Sequence, residues 1–141
     1  MTPLGADLAR THARAFRTTR PWAAEEFAGL LAAKGVFLTG DTRGFALGRV
    51  TLDEAEVLTI ATDPAHQRQG LARAALQALE AQATAAGARQ MFLEVAEDNT
   101  PARALYLSMG YAQTGRRPGY YATGPGPAVA ALILSKPLDI G

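Results

Sequence analysis

Apolar and polar positions alternate along this chain in two rhythms. Residues 5–17 and 23–33 follow the helical one. In the second segment Trp22, Phe27, Leu30 and Leu31 share a face, and Pro21 suits the helix start. GVFLTG (35–40) and GFALGRVT (44–51) read as strands, and the Gly-Asp-Thr-Arg-Gly run joining them predicts a hairpin. EVLTIAT (56–62) predicts a third strand, stopped by Asp63-Pro64. From Leu71 the small and apolar positions return every four residues, at Ala75, Leu79 and Ala83, with Ala78, Gln82 and Ala86 alongside. This predicts a long helix ending near Gly87, which suits the left-handed residue after a helix end. RQMFLEVA (89–96) is a short apolar strand. NTPARALYLSMG (99–110) predicts a helix with Thr100 as cap, Pro101 in its first turn and Gly110 as its stop. YAQTGRR (111–117) and AVAALILSKPL (128–138) predict two closing strands. The Gly- and Pro-rich link between them, PGYYATGPGP, reads as a loop.

This order is two helices, three strands, a helix, a strand, a helix and two strands. The strand–helix–strand unit over 56–96 implies a parallel pair with a crossover, and the flanking hairpins imply antiparallel neighbours. The fold class is therefore α/β, a mixed and mostly antiparallel central sheet with helices on both faces. A length of 141 residues, 48% of them apolar, suits one domain over 1–141 with its own core.

Composition removes several chemistries. Without cysteine there is no disulfide, thiol nucleophile or thiolate metal site. Ser108 and Ser135 lie outside any G-x-S-x-G, and His12 and His66 lack metal-ligand spacing, so no metal is expected. Lys34 and Lys136 follow no glycine, so there is no P-loop, and GPGPAV around Gly124 lacks the helix of a dinucleotide fingerprint. A net charge of +1 with no basic block gives no reason to expect nucleic acid. The longest apolar run, Ala128 to Leu134, is too short for a bilayer, and the N-terminus shows no signal-peptide core. The expectation is a cytoplasmic protein with no membrane partner.

One segment resists the usual rules. The helix from Leu71 is led in by Gln67-Arg68-Gln69-Gly70, with Arg73 in its first turn and no acid between Asp63 and Glu80. Its N-terminal N–H groups and positive dipole end face no capping side chain. Such a start suits a diphosphate: Gly70 lets backbone approach closely, Ala72 keeps the next turn open, and Arg68 or Arg73 adds charge. A plain surface turn capped by water is the competing reading.

The surrounding residues resemble a known family. The strand, Asp-Pro and Gln67-x-x-Gly70-x-Ala72 of IATDPAHQRQGLA are similar to the signature of the GNAT acyl-CoA N-acetyltransferases. FLEVAEDNTPARALYLSMGY (92–111) resembles that family's later strand–helix pair. More narrowly, LDEAEVLTIATDP, RQGLARAAL, FLEVAEDN, ALYLSMGY and RRPGYY resemble the RimI-type enzymes, which acetylate the N-terminal alanine of a small-subunit ribosomal protein. The likeness runs over residues 21–136. It implies the GNAT fold, acetyl-CoA as cosubstrate and a protein N-terminus as acceptor. Family members commonly open with a strand before the first helix; only Met1 to Leu4 precede it here, so that first strand is expected to be missing or very short.

The resemblance assigns roles. Coenzyme A would lie on Gln67, Arg68, Gln69, Gly70, Leu71, Ala72 and Arg73, with Asn99 on the coenzyme arm. A backbone N–H near Ile60, Ala61 or Thr62 would receive the carbonyl oxygen where the strand splays from FLEV. Glu94 alternates with Leu93 and Val95, which places it on the opposite face and in apolar company that favours a raised pKa. The resemblance makes it the base; an outward-facing glutamate is the plain alternative. Tyr106 lies beside the helix face formed by Ala102, Leu105 and Met109 and would be the acid, against the alternative of a packed ring. Asp53, Glu54 and Glu56 form an acidic cluster suited to a basic peptide, or simply a solvated turn. Trp22, Tyr120 and Tyr121 could wall a peptide groove. An enzyme acting on a small amine, or a non-catalytic acyl-CoA-binding module, remain as competing functions.

Overall fold

The computed structural model describes residues 5–15, 22–121 and 128–138, with the backbone alone for Tyr120 and Tyr121. Helix α1 spans Gly5–Ala15 and α2 spans Ala24–Ala32. The expected extension of α1 to residue 17, Pro21, Met1 to Leu4 and the GPGP segment lie outside the described residues. The six strands are β1 (Val36–Asp41), β2 (Gly44–Thr51), β3 (Glu54–Thr62), β4 (Gln90–Ala96), β5 (Ala112–Tyr121) and β6 (Val129–Pro137). Helices α3 (Leu71–Ala85) and α4 (Thr100–Ser108) flank β4 in the chain.

The strands form one sheet in the order β1-β2-β3-β4-β6-β5. Only β3 and β4 are parallel; every other pair is antiparallel. Two apolar layers sandwich the sheet. On one face Leu8 of α1 and Phe27 of α2 pack on Phe45, Leu47 and Ala61. On the other, Ala75, Leu76, Leu79 and Ala83 of α3 join Tyr106 of α4 against Ala46, Val57, Met91, Leu93 and Val95. The four-residue spacing in α3 therefore does face the core.

Two helix ends use the glycine predicted for them. Gly87 (φ 99°) follows α3 and Gly110 (φ 99°) follows α4. At α3, Ala88 N–H reaches Ala83 O and Gly87 N–H reaches Thr84 O. At α4, Tyr111 N–H reaches Tyr106 O and Gly110 N–H reaches Leu107 O. Both are Schellman turns, in which a left-handed residue lets two N–H groups turn back to orphan carbonyls.

Three local expectations change. The cap of α4 is Asn99, whose side chain accepts from Ala102 N–H at 3.3 Å; Thr100 is already the first helical residue. β3 begins at Glu54 rather than 56 because the hairpin from β2 turns tightly through Leu52 (φ 58°). Residues 118–121 belong to β5 rather than to a loop, since Tyr121 pairs with Val129 after a register shift. Pro118 is tolerated because it falls in the register shift between Arg117 and Tyr121 of an edge strand, where no residue of β6 is paired with it.

Between β1 and α3, buried Thr39 donates from Oγ1 to Ala75 O at 2.6 Å. Thr39→Val keeps the shape and removes the hydroxyl that donates to that carbonyl. It should lower unfolding free energy by about 1 kcal/mol, read as a lower urea midpoint at constant m-value.

Candidate active site

β3 and β4 pair over three positions only: Glu54↔Gln90, Ala55↔Met91 and Glu56↔Phe92. Beyond Phe92 they part, while β4 stays fully paired to β6 and β3 to β2. The sheet thus opens between Val57–Thr62 and Leu93–Ala96. A bulge at Leu58 sits at the start of this opening: Leu47 faces Thr59 and Gly48 faces Val57, leaving Leu58 without an opposite residue. Bulges bend a strand and re-aim its groups, and they collect beside active sites. Ile60, Ala61 and Thr62 lie past it, with their β4-side backbone groups free of ladder bonds to β4.

The chain leaves β3 into the expected anion loop. Asp63 caps a short 3-10 turn, Pro64–His66, by accepting from Ala65 N–H at 3.0 Å, so it serves that turn and not α3. Arg14 pairs with the same carboxylate at 3.1 Å. Arg68 (φ 65°) and Gly70 (φ 73°) both adopt left-handed backbone. Gly70 is the N-cap of α3 and offers no side-chain bond; the first turn's only bond to it runs from Ala74 N–H to Gly70 O. The N–H groups of Leu71, Ala72 and Arg73 therefore have no acceptor among the described residues. A Cβ at Gly70 would meet nothing within 4 Å. The glycine answers a backbone requirement and leaves the space before the helix open. Gln67, Arg68 and Gln69 are exposed around it. Arg73 swings away, donating to Ser108 Oγ at 2.7 Å and tying α3 to the end of α4. Uncapped N–H groups, a positive dipole end and open space fit a diphosphate group; Gly70, Leu71, Ala72 and Arg73 would hold it by backbone.

Glu94 and Tyr106 lie on opposite faces of the sheet at this opening. Leu93 and Val95 are buried against α3 and α4, so Glu94 faces the other way, two residues past the last β3–β4 pair. It is not enclosed by apolar side chains: its side chain is 27% exposed, and its carboxylate sits 3.3 Å from Arg117 of β5. Arg117 carries no sequence signal for this contact, which depends on β5 and β4 both lying next to β6. Tyr106 is the buried residue of α4, where alternation of the helix had put it beside the apolar face. Its ring packs edge-on to Tyr111. Burial pushes its pKa up to about 12, so the phenol keeps its proton at neutral pH. No hydrogen bond to its hydroxyl is made among the described residues, and no side-chain polar atom there is both sealed and unpartnered, so the hydroxyl reaches solvent.

The expected acceptor residues separate. Glu56 pairs with Phe92 at the root of the opening. Asp53 and Glu54 sit at the far end of β3; eight residue steps put Glu54 roughly 26 Å from Thr62. Arg49, Asp53, Glu54, Glu56 and Phe92 line an open hollow of about 310 Å³. Arg49, Glu56 and Phe92 share Glu94's face of the sheet, because each is paired in register with the next. Trp22 is half-buried: its ring stacks on His12 at 5.2 Å, and its backbone N–H donates to His12 Nδ1. Tyr120 and Tyr121 close β5, and their side chains lie outside the described residues. Asn99 caps α4 as noted, three residues after β4 ends at Ala96. Among the described residues no cluster of acids and histidines could hold a metal, and no helix is long and apolar enough to cross a membrane.

An anion-binding helix start that continues from a bulged strand, beside a parallel pair pulled apart, is the construction of a coenzyme A-dependent acyltransferase. Comparison with known proteins agrees. The model of the acetyltransferase (GNAT) family matches residues 6–111, and the chain belongs to that family. The [ribosomal protein bS18]-alanine N-acetyltransferase of Escherichia coli K12 is 36% identical over 124 residues, covering 85% of this chain and 83% of that protein. The N-alpha-acetyltransferase RimI of Mycobacterium tuberculosis is 36% identical over 122 residues, covering 80% and 75%. The crystal structure of the ribosomal-protein-S18-alanine N-acetyltransferase from Escherichia coli superposes with a TM-score of 0.86 at 32% identity, over 97% of this chain and 89% of that one. The protein is an acetyl-CoA-dependent N-acetyltransferase.

Proposed function

We propose that this enzyme acetylates a protein N-terminus, the α-amine of an N-terminal alanine on a small-subunit ribosomal protein, with Glu94 as base and Tyr106 as acid. The observation that carries the mechanism is the placement of these two groups on opposite faces of the opened sheet. Coenzyme A held at the start of α3 lies on the α3–α4 side, with Tyr106; an acceptor amine comes from the other side, with Glu94. The two reactants meet through the gap without competing for one entrance. The Escherichia coli and Mycobacterium tuberculosis relatives, whose names specify an alanine and an α-amine, support the acceptor class.

Each residue then has a defined task. An α-ammonium has a pKa of about 8, so the base has little work to do at neutral pH. Glu94, partly exposed, takes that proton directly or through one water. Backbone N–H at Ile60 to Thr62, unpaired on the β4 side, receives the charge building on the carbonyl oxygen. Tyr106, protonated at neutral pH, supplies the proton for the departing thiolate. Positioning of both reactants in the gap adds to these terms.

The acceptor's length matters as well. An extended chain advances about 3.3 Å per residue. From Glu94 towards the paired end of β4 it would meet Glu56 after about two residues, and Asp53 and Glu54 after about four. The hollow there carries three carboxylates against the single guanidinium of Arg49. A peptide beginning Ala-Arg, with further basic residues, should be acetylated on its α-amine. Lysine side chains should react poorly, because a pKa near 10.4 leaves little neutral amine. Replacing Asp53, Glu54 and Glu56 by Asn and Gln should raise the peptide KM and flatten its salt dependence, with kcat little changed. Steady-state assays against the same peptide with Ser for its basic residues check this. Equal kcat/KM for both peptides removes the acidic hollow from recognition. Reaction with a polyamine or aminoglycoside but with neither peptide replaces the acceptor class altogether.

A further inference from the structure

Tyr111 is a buried tyrosine that the proposed proton transfers do not use. Its hydroxyl donates to Glu80 Oε2 at 2.7 Å, and Glu80 Oε1 accepts from Lys136 Nζ at 2.9 Å. The same ammonium lies 5.6 Å from the Tyr111 ring centroid. Glu80 comes from α3 and Lys136 from β6, so the ring is pinned by two elements other than α4. Towards α4 it meets Tyr106 edge-on, with centroids 6.2 Å apart and planes at 64°. The backbone repeats the link: in the Schellman turn that ends α4, Tyr111 N–H donates to Tyr106 O at 3.1 Å.

Tyr106 itself has no such anchoring. Its hydroxyl makes no hydrogen bond among the described residues, so nothing polar aims it. Its direction is set by how the ring is packed, and the aromatic group against that ring is Tyr111. We infer that Tyr111, locked by Glu80 and Lys136, is a positioning residue that aims the Tyr106 hydroxyl at the reacting centre. The inference rests on Tyr106 acting as the acid. It follows from geometry that a smaller side chain at 111 frees the Tyr106 ring to tilt, and a misplacement of about 1 Å can cost on the order of 10²-fold in rate.

A double-mutant cycle separates positioning from plain stability. Wild type, Tyr106→Phe, Tyr111→Leu and the double variant are assayed for kcat and for the KM of acetyl-CoA, well below the lowest melting temperature. Tyr111→Leu should lower kcat by about 10–100-fold while KM stays within about threefold. In the Tyr106→Phe background it should lower kcat no further, since there is no hydroxyl left to aim. Tyr111→Phe, which keeps the ring edge but loses the bond to Glu80, should lower kcat by about three- to tenfold, less than Tyr111→Leu does. Thr39→Val, a destabilising change elsewhere, should leave kcat unchanged. If Tyr111→Leu does not fold, the Glu80→Gln, Lys136→Met pair takes its place, with the same lack of additivity expected on a loss of about three- to tenfold. A loss of the same factor in both backgrounds, or wild-type kcat for Tyr111→Leu, overturns the positioning role and leaves the acid assignment standing. Wild-type turnover in Tyr106→Phe overturns the acid assignment and this inference together.

Discussion

Glu94→Gln should lower turnover at neutral pH by about 10²–10⁴-fold, the usual worth of a positioned general base. The substitution keeps the shape of the side chain and removes its charge. It also ends the ion pair with Arg117, but that pair is half exposed on the arginine side, and exposed pairs contribute little to stability. The fold should therefore survive, as circular dichroism and melting would show. The dependence on pH carries the argument further. A free α-amine loses its proton unaided near pH 8, so the defect should shrink as pH rises through that value. Turnover followed by thiol release from about pH 6 to 9.5 gives the profile. A defect of constant size across that range means that Glu94 orients the acceptor and does not take its proton. Wild-type turnover throughout means that it does neither.

Gly70→Asp should abolish the part of coenzyme A binding that depends on phosphate. At a hundredfold excess over its dissociation constant, coenzyme A should stabilise the wild-type fold by about 2.7 kcal/mol through mass action. The aspartate adds negative charge where the α3 dipole and three unpaired N–H groups favour an anion. It also places a side chain at φ 73°, which costs about 1–2 kcal/mol in left-handed backbone. Gly70→Ala carries that backbone cost without the charge and serves as the control. Beyond its two chain neighbours, no atom of the described residues lies within 4 Å of the new Cβ, so the fold has no clash to absorb there. Thermal shifts with coenzyme A and with pantetheine, which lacks the diphosphate, read the outcome. The wild type should respond much more strongly to coenzyme A, the alanine variant should keep that preference, and the aspartate variant should lose it. Equal shifts for the two ligands in the wild type would remove the diphosphate from the start of α3.

The boundaries of most elements were legible because they depend on near neighbours in the chain. Asp63-Pro64 ends a strand, Gly87 and Gly110 end helices through left-handed backbone, and the four-residue repeat of α3 marks its buried face. The uncapped start at Gly70 was legible for the same reason: a missing cap is a local property. The strand at 118–121 was not, because its pairing partner, β6, overrode a loop-like composition.

What the local pattern left open was decided by distances across the fold. The opening between β3 and β4 begins where the bulge at Leu58 bends β3, while β3 stays held by β2 and β4 by β6, and neither pairing is written in either strand alone. Alternation put Glu94 opposite Leu93, but only the sheet order brought Arg117 to it. The acidic residues were close in sequence, yet an extended strand carries Asp53 and Glu54 away from the Gly70 loop while Glu56 stays at the gap. Only the placement of α1 against α2 supplied His12 as the stacking partner of Trp22. The Glu80–Tyr111–Lys136 cluster joins helix α3, the turn that ends α4 and strand β6, three places that no local pattern links. Sequence alone determined the glycine-ended C-termini of α3 and α4, the uncapped start of α3 and the buried face of α3. Tertiary structure decided which faces meet, since hydrogen-bonded pairing and side-chain packing join residues that the chain itself keeps far apart.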